Sequence, residues 1–190
     1  MKKLFCISVL SAFFTIFSFA DVIFLGDSCL SPFVRTSEYH SYNIPEWQDI
    51  SYPTLTLGSS ILFSLPHPEH WNFYIGGGSS VNTSNYGFPG VSLSLNSAVS
   101  YSFNEDKWPA CEIFVFSRLG AGITFIKFIN YYMFADLTPY FTLMPAKNKS
   151  GFFFGLGPQI EYQQEANWEW YNHLSFGISC MGGFRIRNHN

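Results

Sequence analysis

Charge is scarce in this chain. Asp, Glu, Lys and Arg make up only 12% of its 190 residues, with a formal net charge of −3, where a typical soluble domain carries about 25%. No basic stripe exists, which argues against nucleic acid as a partner, and few charged residues remain to solvate an ordinary surface. Cysteine is scarce as well: Cys6, Cys29, Cys111 and Cys180 are separated by long, unrelated gaps, which excludes both a disulfide framework and a CxxC metal knuckle. Long uncharged apolar runs are missing beyond the N-terminus. The longest apolar stretch there, 113–135, is interrupted by Arg118 and Lys127 and carries Gly120 and Gly122, which is poor material for a membrane-spanning helix.

The N-terminus is the exception. Lys2 and Lys3 precede an apolar run from Leu4 to Phe19, and Ser18-Phe19-Ala20 offers small residues at the two positions that a signal peptidase reads. The run is short for a retained span, which needs roughly 20 apolar residues. Residues 1–20 are therefore expected to be a cleaved signal peptide, and 21–190 a single domain, within the usual range of about 100–200 residues.

Aromatic residues are abundant, at 20% of the chain, and apolar side chains recur with period two. Val91, Leu93, Leu95, Val99, Tyr101 and Phe103 alternate with Ser92, Ser94, Asn96, Ala98, Ser100 and Ser102. The pattern returns around Leu55, Leu57, Ile61, Phe63 and Leu65, and again around Phe152, Phe154, Leu156, Ile160 and Tyr162. Strands of a soluble sandwich also alternate, but a face of Ser and Gly sustained over a dozen residues is what a spanning strand of about 9–11 residues shows. Eight strands are expected at 22–33, 53–65, 71–82, 90–103, 111–125, 133–144, 150–163 and 171–187, an even number that closes a single-chain barrel. The fold class is thus all-β, an eight-stranded antiparallel up-and-down transmembrane β-barrel. Short turns at 66–70, 104–110 and 145–149 fall on the periplasmic side, and 34–52, 83–89, 126–132 and 164–170 face outward. Trp71, Trp108, Trp168 and Trp170 lie near strand ends, where a ring can occupy the headgroup zone.

The pattern resembles the small eight-stranded outer-membrane barrels of the OmpA, OmpX and OmpW type. Strand phrases such as Ser117-Arg118-Leu119-Gly120-Ala121-Gly122 and Leu137-Thr138-Pro139-Tyr140 carry that similarity. The resemblance implies a bacterial outer-membrane location, and no cofactor is expected. One departure is the tail Arg185-Ile186-Arg187-Asn188-His189-Asn190 after Phe184, where such proteins commonly end on an aromatic residue.

Three constellations could carry chemistry. Val22-Ile23-Phe24-Leu25-Gly26-Asp27-Ser28 looks like the opening block of GDSL-type esterases, but no Asp is followed by His three residues later, so the motif lacks its base. His173-Leu174-Ser175 is similar to the His and Ser of lipid A deacylase barrels, yet no Asp or Glu follows Glu169, and alternation turns His173 and Ser175 toward the lumen. Finally, Glu112, Arg118, Asp136, Glu161, Arg185 and Arg187 share the face opposite the apolar one. An Arg facing lipid costs about 2–4 kcal/mol at mid-bilayer, and charges in a narrow lumen should pair. The expectation is a lumen charge cluster centred on Arg118, with Glu161 as its partner and Glu112 or Asp136 as substitutes. Asn96, on the same face, is expected to tolerate Arg better than the lipid-facing Leu95.

No catalytic or metal-ligating set is assembled. The function expected is that of a non-enzymatic outer-membrane barrel acting as a narrow, porin-like channel or as a surface-exposed interaction protein. Alternatives are a soluble exported ligand-binding barrel and a membrane-bound lipid-modifying enzyme. The partners expected are outer-membrane lipid, a small solute or hydrophobic ligand, and a surface ligand held by loop residues such as Tyr39, His40, Tyr42, Trp47 and Tyr86.

Overall fold

The computed structural model describes residues 21–39, 47–50, 53–65, 70–83, 89–104, 106, 108–125, 129–146, 149–166 and 170–187. The proposed signal peptide, Trp168 and most of the proposed loop residues lie outside them.

Nine strands follow in order: β1 (Val22–Tyr39), β2 (Trp47–Ile50), β3 (Thr54–Leu65), β4 (Trp71–Thr83), β5 (Pro89–Ser102), β6 (Ala110–Phe125), β7 (Ile129–Met144), β8 (Gly151–Ala166) and β9 (Trp170–Ile186). Each pairs antiparallel with its neighbour, and β1 pairs with β9, so β1 and β3–β9 close an eight-stranded barrel. Stepping from Ile23 through its lateral partners Leu62, Gly76, Asn96, Arg118, Asp136, Glu161 and Ser175 leads back to β1 at Val34. That displacement, from 23 to 34 on one strand, is the stagger that tilts barrel strands by about 35–45°.

The eight barrel strands agree with those expected from period two. The difference lies at the end opposite the chain termini, where β1 runs on to Tyr39 and β2 occupies part of the segment expected to be loop. β2 pairs with β1 from Val34↔Ile50 to Ser37↔Trp47, on the edge left free because β9 already holds the other side of β1 as far as Tyr39↔Trp170. β7 likewise starts at Ile129 and β8 runs to Ala166. Several strands of 16 to 18 residues therefore exceed the 9–11 or so that a bilayer needs, and the wall extends toward the loop end.

Burial alternates along the strands. Leu93, Leu95 and Phe152 are 73–75% exposed, while Asn96, Ser100 and Thr142 on alternate positions are buried. Among described strand side chains, each charged one (Asp27, Glu112, Arg118, Asp136, Glu161, Glu165, Arg185) falls on the inward parity. The outer face is an aliphatic belt of Leu55, Leu57, Ile61, Leu119, Leu137, Ile160 and Ile178. Exposed aromatics flank it. At the turn end Trp71 packs edge-on against Tyr101 at 5.1 Å, Tyr101 against Phe103 at 5.3 Å and Phe152 against Phe184 at 4.9 Å, and at the loop end lie Phe125, Tyr131 and Tyr162.

The inside is not simply polar. Toward the chain termini it is filled by Ile23, Leu25, Leu62, Tyr74, Phe114, Phe116, Met144, Phe153 and Met181, because an eight-stranded interior is just wide enough for side chains to fill. Glycines make room for this bulk where strands and rings meet. A Cβ on Gly120 would lie 2.5 Å from the Phe134 ring, and one on Gly76 would overlap the Ile61 carbonyl oxygen.

Candidate functional site

Buried ion pairs lie in the lumen at two levels. Near mid-height, Arg118 on β6 donates through Nε to Asp136 Oδ2 at 2.6 Å and through Nη1 to Asp27 Oδ2 at 2.8 Å. Asp136 is the direct cross-strand partner of Arg118 on β7. Asp27 sits on β1, four strands away in either direction around the ring, so side chains from opposite walls of the barrel meet at the guanidinium. All three side chains are at most 3% exposed. Gly58, the cross-strand partner of Asp27, leaves space for the clamp: a Cβ there would lie 2.6 Å from Arg118 Nη1. Arg118 also lies 5.7 Å from the Phe116 ring centroid, within cation–π range.

At the turn end, Arg185 Nη1 is 3.6 Å from Glu112 Oε1, and its Nη2 donates to the backbone carbonyls of Pro145 and Ala146. Ser102 Oγ donates to the same carboxylate at 2.6 Å. At the rim Arg187 pairs with Asp21, tying the end of β9 to the start of β1.

The residues proposed as one charge cluster are thus divided among levels. Arg118 is joined to Asp136, expected only as a substitute, and to Asp27, which was set aside with the esterase-like Gly26-Asp27-Ser28. The direct contacts of the guanidinium go to these two carboxylates and not to Glu161. Glu161 is the cross-strand neighbour of Asp136 and lines a small polar cavity in the loop half with Thr54, Thr56, Asn82, Gln163, His173 and Ser175. The stagger explains the exchange, because it brings Asp27 to the height of Arg118 on the far wall, a placement that linear spacing does not reveal.

His173 and Ser175 face the lumen, both buried. The acidic neighbour sought after Glu169 lies before it: Glu165 Oε1 is 3.6 Å from His173 Nε2 and accepts from Gln163 Nε2 at 3.0 Å. The hairpin register that sets Gln163 opposite His173 brings them together. The adjoining cavity, of about 10 Å³, is about the size of one water. Among the described residues, no group of three or more His, Cys, Asp or Glu side chains could hold a metal ion.

No protein-family model matches the chain, and no curated protein matches it. Among solved structures it is similar to Neisserial surface protein A (NspA), with a TM-score of 0.40 and 11% sequence identity over 83% of this chain and 95% of that one.

Proposed function

We propose that this chain is an outer-membrane barrel, exported by its N-terminal signal, whose closed lumen is a structural plug and whose work is done by the loop end as a surface-exposed interaction protein. The observation that carries the reading is an uncharged apolar belt, bracketed by aromatic residues, around an interior crossed by the Arg118 clamp. A soluble barrel would solvate its outer face, whereas here Leu93, Leu95, Phe152, Leu119 and Ile178 are each more than 60% exposed. Such a band suits lipid as its surroundings. A wall that runs past the length needed to span supports display of the loops beyond the membrane.

A narrow channel is the second reading, favoured by the polar lining of the loop half, and it requires the Asp27 contact to break. Catalysis is not part of the proposal. Fractionation and reconstitution test both parts. The expected result is a detergent-extracted, heat-modifiable protein in the outer-membrane fraction that gives no conductance steps in planar bilayers. A freely soluble periplasmic protein would overturn the membrane reading, and regular conductance steps would overturn the plug.

A further inference from the structure

One hairpin ladder has a gap. Between β7 and β8 the partners run from Tyr131↔Ala166 to Leu137↔Ile160 and resume at Phe141↔Leu156 in unchanged register, which sets Pro139 opposite Pro158. Each proline keeps its partner on the other side, Val115 and Ile178 respectively. In an antiparallel ladder the N–H and C=O of a residue point to the same neighbour, and proline has no N–H. Three consecutive pairs lost on one side only is the outcome when two prolines meet where each should donate to the other. Two cross-strand hydrogen bonds are absent, over about 13 Å of seam at a rise of about 3.3 Å per residue. The ladders β3–β4, β4–β5, β5–β6, β6–β7 and β8–β9 have no such gap.

A second irregularity lies on the same lateral line. Pro158 pairs with Ile178, and Ile178 with Leu30, where the β1–β9 register slips between Leu30 and Phe33. The β8–β9 hairpin is therefore flanked at one level by a ladder defect on each edge, while its own two strands pair without interruption. The strands on either side of it, β7 and β1, carry Asp136 and Asp27, and Arg118 holds both. Its inner face presents Gln159, 2% exposed with Oε1 unpartnered.

We propose that the β8–β9 hairpin is a movable panel of the barrel wall, which swings from the β7 and β1 edges while the Arg118 clamp keeps those edges in place, and so opens a lateral route to the polar lumen beside Gln159. The inference rests on strand pairing and on the Arg118 and Gln159 side chains, and stands or falls independently of the membrane reading.

Hydrogen exchange by mass spectrometry on the full-length protein in detergent micelles tests it. Segments 155–160 and 176–180 should exchange at least about tenfold faster than 93–97 and 115–119, as local opening predicts. Restoring the donors with Pro139→Val and Pro158→Val should slow exchange in the panel by about twofold to tenfold per bond. If that pair fails to fold, a disulfide across the gap from Thr138→Cys and Gln159→Cys decides instead, since oxidation should remove the excess exchange and reduction restore it. Equal exchange around the whole wall, or excess exchange that persists under both the restored donors and the disulfide, would overturn the panel.

Discussion

Replacing Arg118 with Ala leaves the carboxylates of Asp27 and Asp136 without their cation, each fully buried in the lumen. At 2.6 and 2.8 Å, each contact is worth about 6 kcal/mol of gross attraction at an effective dielectric of about 20. Desolvation cancels much of that, and removing one partner of a buried pair costs about 3–5 kcal/mol. Here two charges are stranded, so the upper half of that range applies. It is a large part of the 5–15 kcal/mol or so that holds an ordinary domain together. Arg118→Met combined with Asp27→Asn and Asp136→Asn removes all the charges and should recover at least about 2 kcal/mol of the loss. Urea titration of protein folded into lipid vesicles, followed by tryptophan fluorescence, measures both quantities. A loss under about 1 kcal/mol for Arg118→Ala, or a triple variant no more stable than the single one, would refute the clamp as a coupled unit.

Adjacent glycines separate packing from propensity. A Cβ on Gly76 would overlap the Ile61 carbonyl oxygen and crowd the Leu62 backbone, whereas one on Gly77 meets only Ser94 O at 3.4 Å, so Gly76→Ala should cost about 1–3 kcal/mol and Gly77→Ala far less in the same titration. On β5, Leu95→Arg should block insertion at a cost of about 2–4 kcal/mol. Asn96→Arg, expected from alternation to be milder, should fail as well, because Asn96 is 2% exposed, donates to Ser60 Oγ at 2.7 Å and is the direct partner of Arg118. Heat-modifiability on gels scores both, and a folded Asn96→Arg protein would show that the lumen has room the packing denies.

The wall was legible in the sequence because two environments impose period two on it: Val91 through Phe103 alternates since one side meets an apolar surrounding and the other a crowded interior. What fills that interior was not legible. On β6 both parities are apolar near the turn end, with Ile113 and Val115 outward and Phe114 and Phe116 inward, so polarity alone could not assign their faces. The Arg118 partners depend on strand stagger, a property of the closed ring. Asp27 and Arg118 are 91 positions apart, and Asp27 sat in a phrase that invited another explanation. Glu165 precedes His173 in the chain and reaches it only through the β8–β9 hairpin register, which linear order does not display. The opposed Pro139 and Pro158 were visible as letters, but their meaning appeared only with the register.

The pairing of β1 with β9 also sets a timetable. Asp21 meets Arg187 across 166 positions of chain, so the seam that completes the ring cannot form until the last strand has been synthesised. Contacts of such separation make folding slow, and until they form both strand edges remain open to pairing with other chains. On the proposed export to an outer membrane, a protein closed in this way would have to travel unfolded. Its yield in the cell should depend on escorts that bind extended apolar segments during transit, and a deletion confined to the final strand should leave a product cleared by proteolysis.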